Sequence, residues 1–143
     1  LPLVVLVGPE TTGGGEMIAA ALQDHGRAKI VGQRTFGKAN IMTPIATRYP
    51  GLLYKVTTGY SLRPNGSPRH RTPDSKPTDA WGVKPDKGYE LPLTSDLLAE
   101  LKDSAERQAI RPPDDRTAVT LDDPLADPQR LVAARFLKEQ IKK

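Results

Sequence analysis

Leu3-Val4-Val5-Leu6-Val7-Gly8-Pro9-Glu10-Thr11-Thr12-Gly13-Gly14-Gly15-Glu16 decides how the rest of the chain reads. Its first residues are a continuous apolar run rich in β-branched side chains, the pattern of a strand buried in a parallel sheet. The glycine-rich stretch after it is a turn. From Met17 to His25 apolar residues crowd together as Met17, Ile18, Ala19, Ala20, Ala21 and Leu22, which predicts a buried helix stopped by Gly26. Ala28-Lys29-Ile30-Val31-Gly32 predicts a second strand. Strand, turn, helix and strand make a βαβ unit, with a right-handed crossover expected.

Outward from that unit the chain turns to β and then to helix. Ile41 to Thr47 and Leu53 to Leu62 are strand-like and joined through Tyr49-Pro50-Gly51. Arg63 to Lys87 is polar and interrupted by Pro64, Pro68, Pro73, Pro77 and Pro85, so a loop region is expected. Ser95 to Ile110 spaces Leu97, Leu98, Leu101 and Ala105 as a helix does. Asp127 to Ile141 does the same with Leu131, Ala134, Leu137 and Ile141, and Asp127-Pro128 reads as N-cap and first helical residue. Pro112 to Asp123, between them, is acidic and loop-like. The fold class is therefore α/β. One domain over 1–143 is expected: an α/β core (1–62), a proline-rich loop region (63–94) and a helical C-terminal part (95–143).

Composition removes several classes of function. With 12 Gly and 14 Pro, a pure helical bundle is excluded. The net charge of +4 arises from 21 basic and 17 acidic residues mixed along the chain. A nucleic-acid binder concentrates its basic residues, and the only dense patch is Arg69-His70-Arg71. Nucleic acid is not an expected partner, and an anionic surface read by the 63–87 loop is the weakest alternative. Absent cysteine rules out disulfides, thiolate zinc sites and a cysteine nucleophile. Two histidines without a carboxylate cluster do not make a zinc site, so neither metal nor cofactor is expected. The longest apolar run, Leu1 to Val7, is broken by Pro2 and far too short to span a bilayer. No signal peptide is visible, and opening on a strand without Met reads as a cut inside a longer protein.

A glycine-rich turn between strand and helix has two common chemical uses. One is phosphate binding at the helix N-terminus. Gly8 and Gly13 have the phosphate-loop spacing, but Gly14 and Gly15 stand where Lys and Ser/Thr are required, and Glu10 replaces the second glycine of the dinucleotide fingerprint. The other use presents a nucleophile beside amides that stabilise an oxyanion. The tip here is Thr11-Thr12-Gly13-Gly14-Gly15. Thr35-Phe36-Gly37-Lys38 follows the second strand, and a lysine in an apolar pocket can serve as a general base, although most lysines are solvated. Glu16 suits the positive end of a helix and reads as structural. His25 reads as a helix cap, His70 as a solvated loop residue, and Trp81 as a packing anchor or a peptide-groove contact.

Together these segments resemble the C-terminal processing, or tail-specific, serine proteases. That family runs from a strand into S-A-S-A-x-E, a helix ending near D-x-G-R-A, a strand, and F-G-K-G-x-V-Q. This chain has Gly13-Gly14-Gly15-Glu16, Asp24-His25-Gly26-Arg27-Ala28, Ile30-Val31-Gly32 and Phe36-Gly37-Lys38-Ala39-Asn40-Ile41-Met42. Thr57-Thr58-Gly59-Tyr60, Pro64-Asn65-Gly66, Gly82-Val83-Lys84-Pro85-Asp86 and Asp127-Pro128-Gln129 are similar to its later motifs. The resemblance implies a crotonase-like α/β fold and a serine-type endopeptidase with a Ser/Lys dyad, acting near substrate C-termini. It places the base at Lys38, the nucleophile at Gly13, an oxyanion N–H at Gly14 and a supporting glutamine at Met42. Base and oxyanion positions are kept; nucleophile and glutamine are not. Three explanations stand: a serine replaced on purpose, a natural pseudoprotease, or Thr12 or Thr11 acting instead. The runner-up function is a non-catalytic peptide-binding or scaffolding module. The partners implied are unfolded or C-terminal peptide segments, with an oligomer allowed and an extracytoplasmic location. The PDZ domain and a second, glycine-rich oxyanion segment are expected to lie outside these residues.

Overall fold

The computed structural model describes residues 1–109 and 127–142. In chain order its elements are β1 (Val4–Val7), α1 (Gly14–Asp24), β2 (Lys29–Gly32), β3 (Asn40–Ala46), β4 (Leu53–Tyr60), α2 (Ser95–Ala109) and α3 (Pro128–Ile141). The class is α/β, as the sequence pattern requires. The segment 112–123, expected as an acidic loop, and Ile110 lie outside the described residues.

β1 and β2 pair in parallel from Val4 opposite Lys29 to Val7 opposite Gly32, with α1 as the connection between them. A bridge between Gly32 and Glu90 continues this sheet locally: Gly32 N–H donates to Tyr89 O (3.0 Å) and Leu91 N–H to Gly32 O (2.7 Å). Val7, Ala19, Ala20, Ile30 and Val83 form the buried cluster, with Val5 and Ala28 packed against it. Each valine or isoleucine side chain, once buried, contributes about 1.5–3 kcal/mol, and each alanine methyl about 0.8 kcal/mol. The two alanines lie on one face of α1.

α1 departs from expectation in two ways. It starts at Gly14 rather than Met17, because Glu16 then falls in the first turn and accepts from Gly13 N–H (3.1 Å), satisfying a donor the helix cannot. It is not buried all round either. Glu16, Ala19 and Ala20 point inward, whereas Met17 and Ile18 are 54% and 62% exposed. A run so uniformly apolar gives no sequence signal for its inner face.

β3 and β4 form an antiparallel hairpin from Asn40 opposite Tyr60 to Ala46 opposite Leu53. Ile41 pairs with Gly59 and Met42 with Thr57, so Thr58 is an extra residue, a bulge. In α3, Asp127 accepts from Gln129 N–H (2.8 Å), as an N-cap does, and Pro128 opens the helix. The stripe expected on α3 is only partly right. Leu131 and Ile141 are exposed, and the buried ridge is Gln129 and Ala133, which packs the helix on β1 and β2. Gln129 is buried because its amide donates to Leu91 O (2.9 Å), a contact no periodicity encodes.

Candidate functional site

The site is built around one buried carboxylate. Glu16 is fully buried, on the first turn of α1. Its Oε1 accepts from the Thr35 hydroxyl (2.5 Å) and Gly37 N–H (2.6 Å). Its Oε2 accepts from Lys38 N–H (2.8 Å), Gly13 N–H (3.1 Å) and Arg69 Nη1 (3.3 Å). Arg69 is 3% exposed, and its guanidinium also donates to Gly13 O (3.0 Å), Lys38 O (3.3 Å) and Ser61 Oγ (2.7 Å). Thr35 Oγ1 relays the network, accepting from Val83 N–H (2.8 Å). A buried charge survives only when it is paired and hydrogen-bonded, and here both halves are.

The consequence is positional. Gly13 and Lys38 are 25 residues apart in sequence, yet their amides share one carboxylate oxygen and their carbonyls one guanidinium nitrogen. Phe36 N–H donates to Thr11 O (3.0 Å) and fastens the same two loops again.

Gly13 has φ 58° and ψ −115°. That conformation is strained for any residue with a side chain, at about 1–3 kcal/mol, and is the kind held at a sharp strand-to-helix turn that displays a nucleophile. No atom lies within 4 Å of where a Cβ would stand, so a side chain there would meet open space and its cost would be backbone strain alone. Gly14 opens α1 with an N–H that the helix leaves unsatisfied. Met42, 45% exposed on β3, pairs with Thr57 outside the Glu16 network. Thr11 is occupied, its hydroxyl accepting from Gly8 N–H (3.0 Å). Thr12 faces the cleft described next.

An open cleft of about 1030 Å³ lies along this surface, and Thr12, Phe36, Lys38, Tyr60, His70 and Trp81 are among its lining. His70 is a correction to the sequence reading. It is half-buried, stacks on Tyr60 (ring centroids 4.4 Å apart), and its Nδ1 accepts from Ala39 N–H (3.3 Å) beside Lys38. The Trp81 indole N–H donates to Lys76 O (3.0 Å), and the residue lines the cleft. Arg69 was misread as part of a surface patch, since its acid partner lies 53 residues away. Arg63 is committed too. It pairs with Asp24 at the end of α1 (2.5 Å), and that hydrogen bond holds the Asp24 carboxyl below its ordinary value. His25, read as a cap, does sit at the C-terminal end of α1, its N–H donating to Ala21 O (3.1 Å). Among the described residues no group of three or more His, Asp or Glu is placed to hold a metal, and no helix is long and apolar enough to cross a membrane.

Comparison with known proteins converges on one family. The model of peptidase family S41 matches residues 1–88, from β1 through the proline-rich segment. A carboxyl-terminal-processing protease of Synechocystis sp. is 35% identical over 107 residues, 75% of this chain and 22% of that protein. The chloroplastic carboxyl-terminal-processing peptidase 3 of Arabidopsis thaliana is 34% identical over 100 residues, 70% of this chain and 17% of that protein. In structure, the photosystem II D1 C-terminal processing protease matches with a TM-score of 0.51 and 36% identity, over 63% of this chain and 20% of that one. The chain thus spans about a fifth of the length of the relatives it matches.

Proposed function

Because this chain belongs to peptidase family S41, we propose that it carries the core of a Ser/Lys endopeptidase site whose nucleophile position is empty, so that as given it binds an extended peptide without cutting it. The observation that carries this reading is that the positive-φ turn at Gly13, open on its Cβ side, and the lysine loop are clamped to the same buried carboxylate. In a form with serine at that position, the serine oxygen attacks the scissile carbonyl and Lys38 takes its proton. The oxyanion forms against Gly14 N–H, the amine leaves with a proton, and water hydrolyses the acyl-enzyme. Glycine has no atom with which to form that ester. Met42 supplies no hydrogen-bonding amide at the family's glutamine position. Substrate would lie extended in the cleft, held by main-chain hydrogen bonds. A crotonase-like fold and an extracytoplasmic location extend the same family reading.

Thr12 is kept as a second reading because it lines the cleft with Lys38. A shift of one residue moves a side chain much further than the roughly 0.5 Å that productive geometry tolerates. The test uses the longest parent chain, as given, as Gly13→Ser, and as Thr12→Ala, incubated with an unfolded protein and followed by mass spectrometry. Cleavage by Gly13→Ser alone is expected. Cleavage by the unmodified chain that is lost in Thr12→Ala would replace the proposal with the threonine reading. Cleavage by none, with peptide still bound, would leave a binding module.

A further inference from the structure

We infer that the cleft selects peptide segments in which an acidic side chain stands next to an apolar one, and that Arg71, stacked on Trp81, is the residue that selects the carboxylate. This rests on the peptide-binding reading of the cleft and adds the class of peptide.

The charge balance of the lining is one-sided. Arg34, Lys38 and Arg71 line the cleft against a single acid, Glu10, and Glu10 is already paired with Lys102. Glu16 offers no compensation, being buried and neutralised by Arg69. The apolar part of the lining is Pro9, Phe36, Tyr60 and Trp81, and Phe36 and Tyr60 are more than half exposed. The surface is therefore cationic and aromatic together, and its complement is anionic and apolar together.

The cations are not equivalent. Arg34 lies 3.4 Å from the Trp81 ring centroid, and its nitrogens donate to the carbonyls of Pro77, Asp79 and Trp81. It lends charge but has its donors committed. Arg71 lies 4.7 Å from the same ring, is exposed, and joins none of the ion pairs among the described residues. Its backbone N–H donates to Gly37 O (2.7 Å), which fixes it one residue from Lys38. That approach requires glycine: a Cβ at Gly37, where φ is +87°, would stand 2.7 Å from Arg71 Cβ and 3.1 Å from Trp81 Cε3.

Two guanidiniums over one ring repel each other. Burial first, then Arg71, lowers the pKa of Arg34, while Asp79 and Glu90 act the other way. A carboxylate entering the cleft relieves that repulsion and finds in Arg71 a planar donor held by cation–π contact. An endopeptidase-type cleft passes chain on both sides, so the carboxylate belongs to a side chain rather than a chain end.

Trp81 is the only tryptophan in the chain, so its emission reports this cleft. The full chain is titrated with two extended peptides, blocked at both ends and differing only in Glu or Gln beside a leucine. The Glu peptide is expected to bind about tenfold more tightly, the equivalent of about 1.4 kcal/mol. Arg71→Gln should abolish that preference, and Arg71→Lys should retain part of it. Independently of any variant, salt near 1 M, where the screening length is about 3 Å, should erase the preference in the unmodified chain. Equal binding of the two peptides overturns the inference and leaves the peptide-binding reading intact. A preference that survives Arg71→Gln overturns the assignment to Arg71. Binding of neither peptide overturns both readings.

Discussion

Helix α1 carries a carboxylate–arginine pair at each end, and the two do different work. At its N-terminal end Glu16 and Arg69, 0% and 3% exposed, clamp the amides and carbonyls of Gly13 and Lys38. At its C-terminal end Asp24 and Arg63, 7% and 12% exposed, clamp a turn: Asn65 donates to Asp24 from both its backbone N–H (3.4 Å) and its side-chain amide (3.1 Å). The first pair sits inside the fold and holds the site. The second sits at its edge and holds the proline-rich segment to the helix that precedes it. Burial, not charge, separates them. A buried carboxylate is costly to leave partnerless, and one near water can be rehydrated.

Glu16→Gln should therefore produce the largest effect. The amide keeps the shape but replaces one acceptor with a donor, so either Thr35 and Gly37 or Lys38, Gly13 and Arg69 face a donor. Removing one partner of a buried pair costs about 3–5 kcal/mol, measured by urea denaturation. Adding Arg69→Met removes the unneutralised guanidinium but leaves the amide facing Thr35 and Gly37 or Gly13 and Lys38, so stability should recover only in part. Peptide binding should not recover, because Gly13 and Lys38 are no longer held together. If the single variant cost as little as an exposed pair does, the network would not be holding the site.

Asp24→Asn should cost less, about 1.5–3 kcal/mol, the usual range for a hydrogen bond to a charged group. It should also be selective in pH. Hydrogen bonding by Arg63 lowers the Asp24 pKa from its ordinary 3.8, with desolvation opposing and the Arg63 charge and Asn65 N–H assisting. A depressed carboxylate pKa contributes stability above the unfolded value and loses it as pH falls through the folded one. The gap between the unmodified chain and Asp24→Asn, read by denaturation across pH, should be constant above about pH 5 and shrink below about pH 4. A gap independent of acid would assign Asp24 a packing role alone.

Most of the secondary structure and the family were legible in the sequence because they rest on local pattern. β-branched runs gave β1 and β2, strand formers gave the hairpin, and Asp127-Pro128 gave the start of α3. Lys38 and Gly13 were located as positions by the family resemblance. The frame that unites them was not legible. Glu16 was read only as a carboxylate at a helix start, Arg69 as a surface cation and His70 as solvated, because their partners lie far along the chain. A basic residue in a proline-rich loop gives no local sign of whether an acid waits for it inside. The inner face of α1 was hidden for the opposite reason: too many apolar residues, and no polar stripe to mark the outside.

A third pair completes the series and should show the smallest effect. Lys102 on α2 reaches Glu10 on the turn after β1, and the two side chains are 49% and 68% exposed. Water solvates both ions when they part, and holding two long side chains together costs rotamer entropy. Lys102→Ala should accordingly change stability by no more than about 0.5 kcal/mol, within the range of exposed pairs. It should nevertheless alter the cleft. Glu10 is the only acid in the lining, and without Lys102 its charge is free to compete with an incoming carboxylate. The expected signature is an unchanged denaturation midpoint with a weaker preference of the cleft for the Glu peptide over its Gln counterpart. A stability loss as large as that of Asp24→Asn would show instead that α2 is held to the core through this contact, and burial would no longer rank the three pairs.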